Sequence, residues 1–174
     1  MTPDHAKFLA QVMGQQLQTE WMSTYKVLAA VPDAKKDFKP QDNSRSAWDL
    51  AHHIAIADVG FLHAVAANDF SVFPAKTSAK TTTELADWYK AEFPKGLEKV
   101  LALEGTHLNQ VVSAFGGFLK LPSAAYLLFC NNHMVHHRGQ LSTYLRPMGS
   151  KCPAIYGSSF DEKFPGEVAL DELR

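Results

Sequence analysis

His133-Met-Val-His-His-Arg-Gly-Gln-Leu141 lies inside an apolar run, roughly Pro122 to Leu145, whose spacing predicts a long helix with Pro122 near its first turn. Two of its histidines, His133 and His137, stand four residues apart. They therefore fall one turn apart on one helical face, where both imidazoles reach a common point. His136 sits between them, and an adjacent pair, His52-His53, lies upstream in another apolar helical run. Neutral imidazole is the commonest protein metal ligand, and three protein ligands with an open position describe a catalytic metal site. Tyr126, Leu127, Phe129, Cys130, Val135, Leu141 and Tyr144 make the helix apolar enough to be largely buried. Burying two neighbouring imidazoles without partners is costly, which favours a shared cation or strong hydrogen bonds. Satisfied core histidines or a solvated histidine patch are the plainer alternatives.

Three other long helices are expected. The first runs from about residue 3 to 30, with Phe8, Val12, Leu17, Trp21, Tyr25 and Leu28 at helical intervals, and Val31-Pro32-Asp33 stops it. The second begins near Ser46, with Asp49 as its capping partner, and ends near Asn68. The third starts at Thr81 to Thr83, where Thr81 and Glu84 read as a capping box, and Pro94 predicts a kink or restart within it. Residues 106 to 121 read as a loop or short hairpin, and the Gly- and Pro-rich stretch after Gly149 as ordered coil. The pattern points to an all-α, up-down four-helix bundle with an irregular C-terminal tail, a single domain over residues 1–174.

Periodicity leaves the third ligand open between His52 and His53. His53 shares a face with Leu50, Ala57 and Gly60, small neighbours that leave room for a metal and substrate. His52 lies nearer Trp48, Ile56 and Val59. Asp58 is either an acceptor that orients a ligating imidazole or an ordinary surface carboxylate. Arg138 reads as a buried ion-pair partner for the C-terminal coil or as a surface cation; Asn132, Tyr126 and Arg138 are candidate substrate contacts. Gly139, inside the strongest helical segment, costs about 1 kcal/mol against Ala, tolerable if another helix or a ligand approaches closely.

Other chemistries fit worse. A di-iron site needs paired Glu-x-x-His motifs; Glu104-Gly-Thr-His107 is a single one, interrupted by Gly. A zincin needs His-Glu-x-x-His, and position 134 is Met. The formal net charge of -1 and scattered Lys and Arg offer no attraction to nucleic acid or anionic membrane. No apolar run is read as long enough to span a bilayer, and Met-Thr-Pro-Asp-His lacks the features of a signal peptide. Cys130 and Cys152 are not in metal-type spacing and fit a reducing interior. The expected compartment is the cytoplasm.

Ser46 through Asp58, with His53 followed by Ile-Ala, resembles the second-helix motif of the DinB-like (DinB/YfiT-type) superfamily. His133-Met-Val-His-His-Arg-Gly-Gln-Leu-Ser-Thr-Tyr-Leu-Arg-Pro-Met-Gly resembles that family's fourth-helix signature, and Pro153-Ala-Ile-Tyr-Gly its usual ending. The resemblance implies a four-helix bundle, often dimeric, holding a divalent metal by one histidine of the second helix and two of the fourth. Matched by motif, these are His53, His133 and His137, with His136 the non-ligand. It further implies a metal-dependent thiol S-transferase, isomerase or hydrolase acting on a small molecule, with a low-molecular-weight thiol such as bacillithiol or mycothiol as cosubstrate. Neutral His ligands suit Zn, Ni or Fe. The alternative is a non-catalytic, stress-associated helical module with a structural metal site and a dimerisation or partner-binding role, His52 or Asp58 then serving as an additional ligand.

Overall fold

The computed structural model describes residues 1–164, so the last ten residues of the expected domain lie outside the described residues. Four long helices form where the apolar periodicity places them: α1 (Pro3–Ala29), α2 (Ala47–Ala67), α3 (Thr82–Ala102) and, after a single turn α4 (Gly105–Leu108), α5 (Tyr126–Leu145). Their ends follow the capping residues. The Ser46 hydroxyl accepts from the Asp49 amide at 3.0 Å, Asn68 closes α2 in the left-handed conformation (φ 54°), and Thr81 and Glu84 form a reciprocal capping box. The Lys7 ammonium donates to the Leu101 and Leu103 carbonyls (2.8 and 2.6 Å), tying the start of α1 to the end of α3.

Three expectations need correction. The chain is not purely α: Val111–Ala114 (β1) and Leu119–Pro122 (β2) form an antiparallel hairpin, the form left open for that segment. α5 starts at Tyr126 rather than near Pro122, because the strand and a 3-10 turn (Ser123–Ala125) occupy the intervening residues. The helix α3 does not restart at Pro94 but continues through it, with Phe93 and Leu97 buried on either side.

The helices α2 and α1 each pack against both α3 and α5. The core between them contains Leu17, Leu28, Leu50, Ile54, Leu62, Tyr89, Phe93, Leu97, Leu127 and Leu141. By length and composition α2 is apolar enough to cross a membrane, contrary to expectation, yet 67% of that window is buried inside the protein, as in a core helix. Arg138 on α5 is buried. Its guanidinium pairs with the Glu20 carboxylate on α1 and with the Tyr156 phenol, which also donates to Glu20 at 2.9 Å. Arg138 is thus the ion-pair partner that holds the C-terminal coil. Beyond it, Asp161 accepts from the Cys152 amide and Arg146, and Glu162 from the Ala154 amide and Lys26, so the coil is ordered by side-chain acceptors rather than by a ladder.

Candidate metal centre

His53 projects from α2 toward α5, where His133 and His137 stand on successive turns. The His53 Nε2 atom lies 2.9 Å from Nε2 of His133 and 3.2 Å from Nε2 of His137. One ligand atom from each ring falls within 4.8 Å of the others. Two nitrogens bound tetrahedrally at zinc-like distances would stand about 3.3 Å apart, so this spacing fits one shared cation. All three rings are half-buried.

The hydrogen bonds on the far side of two rings fix their tautomers. His133 Nδ1 is 2.8 Å from Oδ1 of Asp58, and His137 Nδ1 is 3.1 Å from Oε1 of Gln140. An ionised carboxylate and an amide oxygen can only accept, so both Nδ1 atoms carry hydrogen and both Nε2 atoms present lone pairs. Converging lone pairs in a half-buried site repel unless a cation or a proton sits among them. The donor set therefore fits a divalent ion, with the His133 and His137 rings each backed by an acceptor.

Asp58 is fully buried, not a surface carboxylate. Burial raises its pKa to about 6, against the lowering effect of its bonds to His133 and Tyr89, whose phenol donates to Oδ2 at 3.3 Å. Burial likewise lowers His53 to about 4, and the neighbouring positive charge of His133, Arg45 and His137 acts in the same direction. His137 is also lowered, chiefly by burial, the Gln140 bond opposing. At neutral pH His53 and His137 are neutral, as metal ligation requires.

Of the two candidates for a third ligand, His53 joins the cluster, while His52 stands against Trp48, ring centroids 5.6 Å apart. His136 is exposed, its ring 4.7 Å from that of His137. The candidate substrate contacts do not gather there. Tyr126 is buried and donates to the Val112 and Leu119 carbonyls of the hairpin, Arg138 is spent on Glu20, and Asn132 is exposed on α5. His107, of the discarded Glu-x-x-His string, bonds the Val65 carbonyl at 3.2 Å. Cys130 is buried beside Asp58 and burial pushes its thiol up, so it is no thiolate nucleophile at neutral pH. Sequence reasoning missed Gln140 and Tyr89. Gln140, three residues after His137, was visible as a helical neighbour; Tyr89, from α3, carried no local signal.

A family model described as the DinB family matches residues 4–167. The chain is 30% identical over 114 residues to the uncharacterized protein YjoA of Bacillus subtilis, covering 64% of this chain and 73% of that one. The crystal structure of YjoA, a DinB-like protein, superposes with a TM-score of 0.68 at 20% identity, over 87% of this chain and 99% of that one. A DinB-like protein from Bacillus cereus gives 0.65 at 23% identity, over 83% and 95%. At these identities the likeness to the solved structures establishes the fold.

Proposed function

Because this chain belongs to the DinB family, we propose that it is a divalent-metal-dependent enzyme acting on a small molecule by thiol S-transfer or hydrolysis, with His53, His133 and His137 as ligands. The observation that carries this reading is the pair of acceptors, Asp58 and Gln140, that turn the Nε2 lone pairs of His133 and His137 toward His53. When bound, a zinc, nickel or iron ion supplies a Lewis acid able to lower the pKa of a thiol or water. The chain's own residues orient the ligands. Asp58 holds the His133 ring, and Tyr89, whose pKa burial keeps well above its ordinary value, occupies the second carboxylate oxygen as a donor. The half-buried imidazoles leave a way in for a small molecule.

A non-catalytic site would need a fourth protein ligand. Asp58 is engaged by His133 and His52 faces Trp48, so neither is placed to serve. The proposal includes a low-molecular-weight thiol as cosubstrate and a cytoplasmic homodimer of up-down four-helix bundles. A net charge of -1 supports a protein without nucleic-acid or membrane partners.

Elemental analysis of protein purified without a metal-affinity tag is the test. About one equivalent of transition metal is expected, lost in His53→Ala, His133→Ala and His137→Ala while the helical circular dichroism persists. Absence of metal after reconstitution with zinc, nickel and iron would refute the centre; normal turnover by His137→Ala would refute its catalytic role.

A further inference from the structure

A cluster of aromatic rings adjoins the histidines and takes no part in holding them. Phe61 of α2 lies 6.0 Å, centroid to centroid, from His133. Phe73 meets Phe61 at 5.0 Å, and Phe115 at the hairpin tip meets Phe61, Phe70 and Phe73 at 6.3, 5.5 and 5.6 Å. Phe61 is buried, Phe70 and Phe73 are half-buried, and Phe115 is 43% exposed, so the cluster begins at a ligand and ends at solvent.

Two backbone features hold the rings there. A Cβ on Gly60 would lie 2.8 Å from the Ala75 amide and 3.0 Å from the Phe73 ring, so only glycine lets that loop lie on α2 and bring Phe73 to Phe61. Phe115 itself adopts φ 52°, a left-handed conformation unfavourable for an aromatic residue, and so keeps its ring against Phe61 and Phe73. Burying apolar area alone would not require a strained aromatic at a half-exposed position.

We infer that this aromatic wall is the apolar subsite of the metal centre, and that the substrate carries an aromatic or similarly flat apolar group beside the atom that approaches the histidines. The inference rests on the enzymatic reading of that centre. The Phe73 and Phe115 rings stand nearly perpendicular, at 89°, presenting an edge and a face of the kind that a further ring packs against. A compact anion would gain nothing from them.

The full chain, reconstituted with zinc and assayed for zinc content, is titrated calorimetrically with acetohydroxamate, benzohydroxamate and naphthohydroxamate, which share a chelating head and differ in apolar size. Affinity should rise along the series by about tenfold or more. Phe115→Ala should bring the three within about twofold of one another, with acetohydroxamate affinity and zinc content unchanged. Phe73→Leu, which keeps apolar volume and removes the ring, should lose part of the preference and guards against misfolding of the first variant. Equal affinities in the parent protein, or an undiminished preference in both variants, would overturn the subsite. Failure to bind zinc, nickel and iron alike, or bound metal that takes none of the hydroxamates, would instead overturn the enzymatic reading beneath it.

Discussion

Asp58 carries a charge into the interior for the sake of one bond to His133, and that bond sets the direction of a lone pair. Replacing it by Asn keeps the shape and removes the anion. Asp58→Asn should weaken zinc affinity by about 10–100-fold, read by competition with a chromophoric chelator; an unchanged affinity would show that His133 needs no carboxylate. The titrations of the site have opposite signs. His53 falls from 6.5 to about 4 on folding, so its contribution to stability is present above pH 6.5 and lost as pH falls toward 4. Asp58 rises from 3.8 to about 6, so its contribution is present below pH 3.8 and lost as pH rises through 6. The two offset in metal-free protein, and His137, lowered like His53, tips the sum toward loss in acid. Urea midpoints of metal-free protein should therefore drop between pH 7 and pH 5, less steeply in His53→Ala; equal slopes would contradict the depressed His53 value.

At the scale of the helix, the sequence periodicities succeed where local chemistry decides. Ser46, Asn68 and the Thr81–Glu84 pair act through bonds to their own helix ends, so α2 and α3 are legible to within a residue or two. The start of α5 is not, because the hairpin bond from the Ser123 amide to the Gln110 carbonyl competes for residues that propensity alone assigns to helix. Gly139 marks a further limit. A close neighbour would make its cost tolerable, yet nothing lies within 4 Å of the position its Cβ would take, and the residue is exposed. Gly139→Ala should accordingly stabilise the fold by about 1 kcal/mol in urea titration. A loss of stability would mean that some other body approaches α5 there.

The whole molecule is joined by groups far apart in the chain, and these were the least legible. His53 and the His133/His137 pair were visible because each lies in its own helical pattern and the family signature selects among them. Glu20 was not, since an acidic residue in an amphipathic helix reads as solvated until α5 and the tail enclose it. Its carboxylate with Arg138 is nearly free of solvent, the side chains 3% and 2% exposed. Glu20→Gln should cost roughly 3–5 kcal/mol in urea unfolding, because it leaves the guanidinium buried without a counter-charge. A smaller loss would mean that neutral acceptors, Tyr156 and the Glu20 backbone carbonyl among them, satisfy Arg138.

Among the described residues, the three clustered histidines and the acceptors hydrogen-bonded to them come from two helices: His53 and Asp58 from α2, His133, His137 and Gln140 from α5. No other described residue joins the histidine cluster. The chain's loops, hairpin and tail are free to be rewritten to suit new molecules while the pair of helices stays as it is. If the three histidines hold an ion, selectivity falls to residues that never touch it.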